Sequence, residues 1–249
     1  MKKTLVLYVF HIYNERVQHF IDHCIFKDDF VDFFIICNDL DIEFSVPDYV
    51  FKLHRENIGY DFGGWSDALL KKNIYINYDY FIFVNSSVIG PFLPVDYTDK
   101  WTDIYIHGLT DNIKLFGSTI NTINNPLQWA HVQSYIISMN RETLDYLIDC
   151  DIFSLTNYSK DYKETVYKKE ILMSRKIIEA GWNIGSLYKY YHGVDFTFKD
   201  KQPSDYKQRF LSDIMLERFR RRWWFEDEVV FIKGNRTSNP IELFNQWYK

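Results

Sequence analysis

Cysteine, proline and long apolar runs are all scarce in this chain, and each scarcity excludes something. The three cysteines, Cys24, Cys37 and Cys150, are widely separated and have no metal-ligand spacing, so reduced thiols in a cytoplasmic setting are expected. No stretch approaches the length of a membrane span. The apolar run Leu5 to Phe10 behind Met1-Lys2-Lys3 stops at His11, short of the core of a signal peptide, and no small-residue cleavage site follows. A soluble protein is therefore expected, in the host cytoplasm if the source is viral. An excess of positive charge is also missing: 29 Lys and Arg against 34 Asp and Glu leave a net charge of -5, which excludes a general nucleic-acid binder. With ten glycines and six prolines, the chain has no low-complexity linker, and it shows no internal repeat.

What is present is a core. The chain has 249 residues, 47% of them hydrophobic, enough for one sizeable core. Its 19% aromatic content accompanies abundant Lys, Asn and Ile, so AT-rich coding explains it better than sugar-stacking surfaces do. Strand patterns near 4–10, 33–37, 49–53, 80–84, 103–107 and 132–139 alternate in the first half with helical patterns near 14–26 and 63–72. That alternation predicts an α/β fold with a mostly parallel sheet and helices on both faces. Residues 111–128 read as strand plus loop. Helices are expected from Arg141 to Ile148, behind the N-cap Asn140, and from Glu164 to Ala180, ended by Gly181. A domain over 1–203 is followed by 204–249, read as an amphipathic helix from Ser204 to about Trp224 and a short strand at Val229 to Lys233, packed on the same domain.

The densest functional pattern is Arg55-Glu56-Asn57-Ile58-Gly59-Tyr60-Asp61-Phe62-Gly63-Gly64-Trp65-Ser66-Asp67-Ala68, followed by the strand Tyr80 to Val84 and then Asn85-Ser86-Ser87. Glycine lets backbone approach a ligand closely, and Arg and free amides suit anionic oxygens. Ligands in open α/β sheets sit beyond the carboxyl ends of strands, where Asn85-Ser86-Ser87 falls. An ordinary strand-to-helix loop has the same spacing. Two more strand ends carry polar groups: His11-Ile12-Tyr13-Asn14 after the first strand, and Asn38-Asp39-Leu40-Asp41 after the second.

Taken in order, these motifs resemble nucleotide-sugar glycosyltransferases of the Rossmann-like GT-A fold, and more narrowly the polysaccharide-synthesis transferases related to the rhamnan-synthesis F proteins. The resemblance runs from about Lys3 to Tyr191. It implies a nucleoside diphosphate sugar as donor, with UDP, GDP or dTDP as the nucleotide, and a glycan as acceptor of a hexosyl or deoxyhexosyl group. It also implies that His11 and Tyr13 line a base pocket, that Asp39 accepts a hydrogen bond from the base or ribose, and that Arg55, Asn57 and Asp61 hold ribose and phosphates, with Arg55 as diphosphate clamp. Glu170 falls where related transferases place the general base.

The chain departs from the GT-A pattern where Asp-x-Asp would bind Mn or Mg, because Asn85 and Ser86 stand there with neutral oxygens that bind a divalent cation less strongly. Either a smaller ligand set including His192 or Asp195 holds the ion, or cations such as Lys233 and Arg236 replace it. Trp65 and Trp129 are candidates for stacking on a sugar or for core packing. Arg218, Arg220, Arg221 and Arg222 before Trp223-Trp224 read as a solvated helix end or as a contact for an acceptor phosphate, a lipid-linked acceptor or a membrane surface. The competing class is a non-catalytic nucleotide-sugar or glycan-binding module. A nucleotidyltransferase is disfavoured, because no glycine-rich phosphate loop followed by Lys comes after the first strand. Oligomeric state is not legible.

Overall fold

Strand β1 (Thr4–Phe10) is buried at every position, as expected of a strand at the centre of a sheet covered on both faces. In the computed structural model, which describes residues 2–249, it is followed by α1 (Glu15–His23), β2 (Val31–Cys37), β3 (Phe51–His54), α2 (Tyr60–Leu70), β4 (Tyr80–Asn85), β5 (Val88–Ile89), α3 (Trp101–His107), β6 (Ile113–Gly117) and β7 (Ile120–Asn121). Then come α4 (Pro126–Trp129), β8 (His131–Val132), β9 (Ile136–Asn140), α5 (Arg141–Asp149), α6 (Tyr162–Thr165), a π-helical turn Val166–Ile171, α7 (Leu172–Glu179) and β10 (Asn183–Ser186). The chain ends with α8 (Glu226–Val229), β11 (Ile232–Lys233) and α9 (Pro240–Trp247).

The main sheet has the order β10-β6-β9-β4-β1-β2-β3. β1 pairs in parallel with both β2 and β4, and β9 is antiparallel to β4 and β6. The remaining strands therefore share one carboxyl rim. Side chains alternate across the sheet, and β1 shows both faces at work: Tyr8 stacks on Phe20 of α1 at 3.9 Å, whereas Val9 faces Gly64 of α2. A Cβ at Gly64 would lie 2.8 Å from Val9 Cγ2, so glycine is what lets α2 lie against β1.

The predicted α/β architecture with helices on both faces is observed, and some local expectations are corrected. Residues 103–107 form α3 rather than a strand, because Trp101 and Tyr105, one helical turn apart, are both buried. No α-helix forms over 204–224. Phe210 instead stacks on Tyr191 at 5.9 Å, and Trp224 donates its indole N–H to the Ile214 carbonyl, so tertiary contacts override the helical spacing. The α-helices of this region are α8 and α9, both unforeseen, and the strand expected at Val229 to Lys233 is reduced to β11, with Val229 closing α8. β10 was also unforeseen, since Asn-Ile-Gly-Ser carries little strand propensity. The helix expected over 164–180 forms as α6, the π-helical turn and α7, and Gly181 follows with φ 84°.

Candidate functional site

The rim begins at His11, exposed beyond the end of β1, whose Nδ1 lies 2.8 Å from the Asn38 carbonyl oxygen. Asn38 is buried and ties the rim together. Its Nδ2 donates to Asn57 Oδ1 at 3.3 Å and to the Tyr60 carbonyl at 3.1 Å, and its Oδ1 accepts from Arg55 Nη1 at 2.8 Å. The sequence reading passed over Asn38 in favour of Asp39, which is half-buried and accepts the Asp41 N–H in its own turn at 2.9 Å. Tyr13 is held by Gln18 and packs edge-on against Phe10.

Arg55 is not a ligand clamp. Its guanidinium is buried and committed to Asp67 at 2.6 Å, to Asn38, and to the Ile58 carbonyl at 2.7 Å. Tyr158 and Lys71 complete the shell of Asp67, at 2.5 and 3.0 Å. The polar loop that suggested a free Arg folds back on itself, because a buried cation must be paired. Gly59 and Tyr60 then open α2 with φ of 75° and 55°. A left-handed Tyr costs backbone energy, and such costs cluster at functional positions.

The turn delivers Asp61 into a cleft of about 230 Å³ that also takes in Asn85, Ser86, Glu170, Lys233 and Arg236. Asn85 Nδ2 donates to Asp61 Oδ2 at 3.0 Å, and Asn85 Oδ1 accepts the Ser87 N–H at 3.0 Å and its hydroxyl at 2.5 Å. Arg16 holds the Ser86 carbonyl at 3.1 Å. Across the cleft, Glu170 Oε1 accepts both the N–H and the hydroxyl of Ser134, at 2.7 and 2.9 Å. Glu170 sits in the π-helical turn, a local widening that often marks functional positions.

Burial pushes the Asp61 carboxyl up to about 6; the negative charge of Glu170 adds to the shift and the Asn85 hydrogen bond opposes it. Burial also lowers the Lys233 ammonium, against the pull of Glu170 and Asp213. Lys233 Nζ lies 5.3 Å from the Tyr135 ring centroid, and Arg236 is paired with Asp213. Two carboxylates thus share a small, desolvated space with two cations.

The donor set does not amount to a metal cage. Asn85 Oδ1 is already occupied by Ser87, and among the described residues no three His, Cys, Asp or Glu side chains cluster to hold an ion. His192 and Asp195, the alternative metal ligands, are not at the cleft. They line a separate groove at the sheet edge, because they follow β10 and the strands β6 and β9 lie between β10 and β4. Asp195 Oδ1 caps its own turn by accepting from the Thr197 N–H and hydroxyl at 2.9 and 2.7 Å. Trp65 is fully buried against Phe62 and Phe83, which excludes it as a sugar platform. Trp129 stays half-exposed, edge-on to Tyr167 at 6.0 Å.

A polar rim beyond the carboxyl ends of a mostly parallel sheet is where α/β proteins of the doubly wound kind bind their ligands. Residues 45–229 match the model of the rhamnan synthesis protein F family, and the chain belongs to that family. That family is glycosyltransferase-like, as the sequence resemblance implies. Over 145 residues it is 30% identical to virulence protein VirA of Vibrio anguillarum, a match that covers 57% of this chain and 38% of that protein. The chain therefore spans well under half the length of the curated relatives it matches. It is also similar, over 98% of both chains but with a TM-score of 0.42 and 12% identity, to the crystal structure of a glycosyltransferase involved in the glycosylation of the major capsid of PBCV-1. That likeness is too slight to bear on function. No helix among the described residues is long and apolar enough to cross a membrane.

Proposed function

We propose that this protein transfers a hexosyl or deoxyhexosyl group from a nucleoside diphosphate sugar to a glycan hydroxyl. The observation that carries the reading is the cleft itself, where a carboxylate positioned by Ser134 faces Lys233 and Arg236 at the sheet rim. The nucleoside lies along His11, Asp39 and Asn57, and its diphosphate turns into the cleft toward the two cations. Glu170 accepts the proton of the acceptor hydroxyl as its oxygen bonds to the sugar C1. The bond from C1 to the diphosphate oxygen breaks, and the electron pair leaves with the diphosphate, where Lys233 and Arg236 offset the growing charge. Asp61 and Asn85 form the wall against which the transferred sugar is held. The donor set does not fit a protein-held metal, so the cationic side chains carry the electrostatic role here.

The test is release of nucleoside diphosphate from UDP-, GDP- and dTDP-sugars in the presence of a glycan mixture. Turnover of at least one donor is expected. Glu170→Gln should slow it by about a hundredfold or more while leaving donor affinity near that of the parent, because shape is kept and proton acceptance is lost. Binding without turnover in the parent protein would point instead to a nucleotide-sugar-binding module.

A further inference from the structure

Beyond the cleft, on the far side of Asp213, lies a second cavity of about 350 Å³ that the mechanism does not use. It is built by the irregular segment 209–223. Three cationic or aromatic side chains on its lining are exposed: Arg209, Arg218 and Trp223. Trp223 is 37% exposed and is held edge-on by Tyr190 at 5.8 Å, so part of its ring is presented to solvent. The Arg218 guanidinium lies 4.8 Å from the Phe219 ring centroid. Two of the neighbouring cations are paired, Arg220 with Glu226 at 2.8 Å and Arg221 with the same carboxylate at 3.5 Å. Arg209 and Arg218 form no ion pair among the described residues, and the one carboxylate on the lining, Asp213, is neutralised by Arg236. The cavity therefore offers unspent positive charge beside an aromatic face.

Its wall is shared with the cleft. Asp213 lines the cavity while its carboxylate holds Arg236 of the cleft, and two residues on, Met215 Sδ accepts the Tyr135 hydroxyl at 3.3 Å. We propose that this cavity is a distal acceptor subsite, taking an anionic glycan whose sugar ring rests on Trp223 and whose phosphate or carboxylate pairs with Arg209 and Arg218. Planar guanidinium groups suit both anions through paired hydrogen bonds, and an aromatic face suits the apolar face of a sugar. The volume lies within the range of small-molecule sites, and its concavity favours a small ligand over a flat surface. The inference rests on the transferase reading, because the shared wall is what makes the bound glycan an acceptor.

Calorimetry on the full chain with glucose-1-phosphate, glucuronate and neutral methyl glucoside tests it, with UDP, GDP and dTDP titrated in parallel and the sugar titrations repeated at saturation with the nucleotide that binds tightest. At least one of the two anionic probes should bind about tenfold or more tighter than methyl glucoside, with or without the nucleotide, and the preferred one distinguishes phosphate from carboxylate. Arg218→Gln and Trp223→Ala, both at exposed positions, should each weaken that probe by about fivefold or more while the nucleotide affinity moves by less than about twofold. Equal affinity for neutral and anionic sugars, no binding of any of them, or unchanged binding in both variants would overturn the subsite. Failure of the transferase reading shows separately, as no binding of UDP, GDP or dTDP in the parent protein.

Discussion

Asp61 carries the most informative charge in the molecule. Its carboxyl is raised from an ordinary 3.8 to about 6, first by burial and then by the charge of Glu170. A raised native value means that the folded state holds the proton to higher pH than the unfolded chain does. The resulting stability is fully present below the unfolded value and is lost as pH rises through about 6. Asp61→Asn keeps an oxygen for Asn85 and removes the titration. Its melting temperature should therefore vary less between about pH 4 and pH 7 than that of the parent, and it should be the more stable of the two at the upper end by on the order of 1–2 kcal/mol. Nucleoside diphosphate affinity in the parent should also rise as pH falls through this window, since a neutral Asp61 no longer opposes the phosphates. Identical pH profiles for the two proteins would mean that Asp61 is ionised as an ordinary surface carboxylate. The sequence placed Asp61, Asn85, Ser86 and Glu170 at a site, and the fold brings them to one cleft. It offered no sign that burial would leave Asp61 so weakly acidic.

At the scale of elements, Arg55 shows how a polar loop can mislead. Its charge and the nearby glycines read as a phosphate loop, but the guanidinium locks the end of β3 to α2 through Asp67. The signal was present in Asp67, one helical face further on, but its partner cannot be chosen from spacing alone. Arg55→Ala should cost about 3–5 kcal/mol, because it strands a buried carboxylate, and chemical denaturation measures it directly. A midpoint unchanged from the parent would return Arg55 to the ligand side of the rim. The first-half strands and α1, α2 and α5 were legible from periodicity and caps such as Asn140, which accepts the Thr143 N–H at 2.9 Å. The stretch 204–224 was misread because its apolar residues answer to aromatic neighbours far along the chain, which no local period records. By contrast, α3 does carry a helical period in Trp101 and Tyr105, which the strand reading of 103–107 left out by starting after Trp101. The π-helical turn that carries Glu170 left no mark in a pattern that read as plain helix.

The whole molecule is organised by its strand order. Because β1, β2, β3 and β4 are mutually parallel neighbours, their carboxyl ends bring His11, Asp39, Asn57 and Asn85 to one edge, and that convergence followed from the alternation of strands and helices in the sequence. The same order carries His192 and Asp195 away to the far side, which no reading of their spacing could reveal. The cations come from further still: β11 pairs with β5 and sets Lys233 against the cleft, a long-range contact between short strands. The central claim is that Lys233 and Arg236 receive a diphosphate at this rim. Calorimetric titration of UDP, GDP and dTDP into the parent protein and into Lys233→Met tests it most directly. Binding of at least one nucleotide, weakened about tenfold or more in the variant, is the predicted result; no binding of any of them, or equal affinity in both proteins, would contradict it.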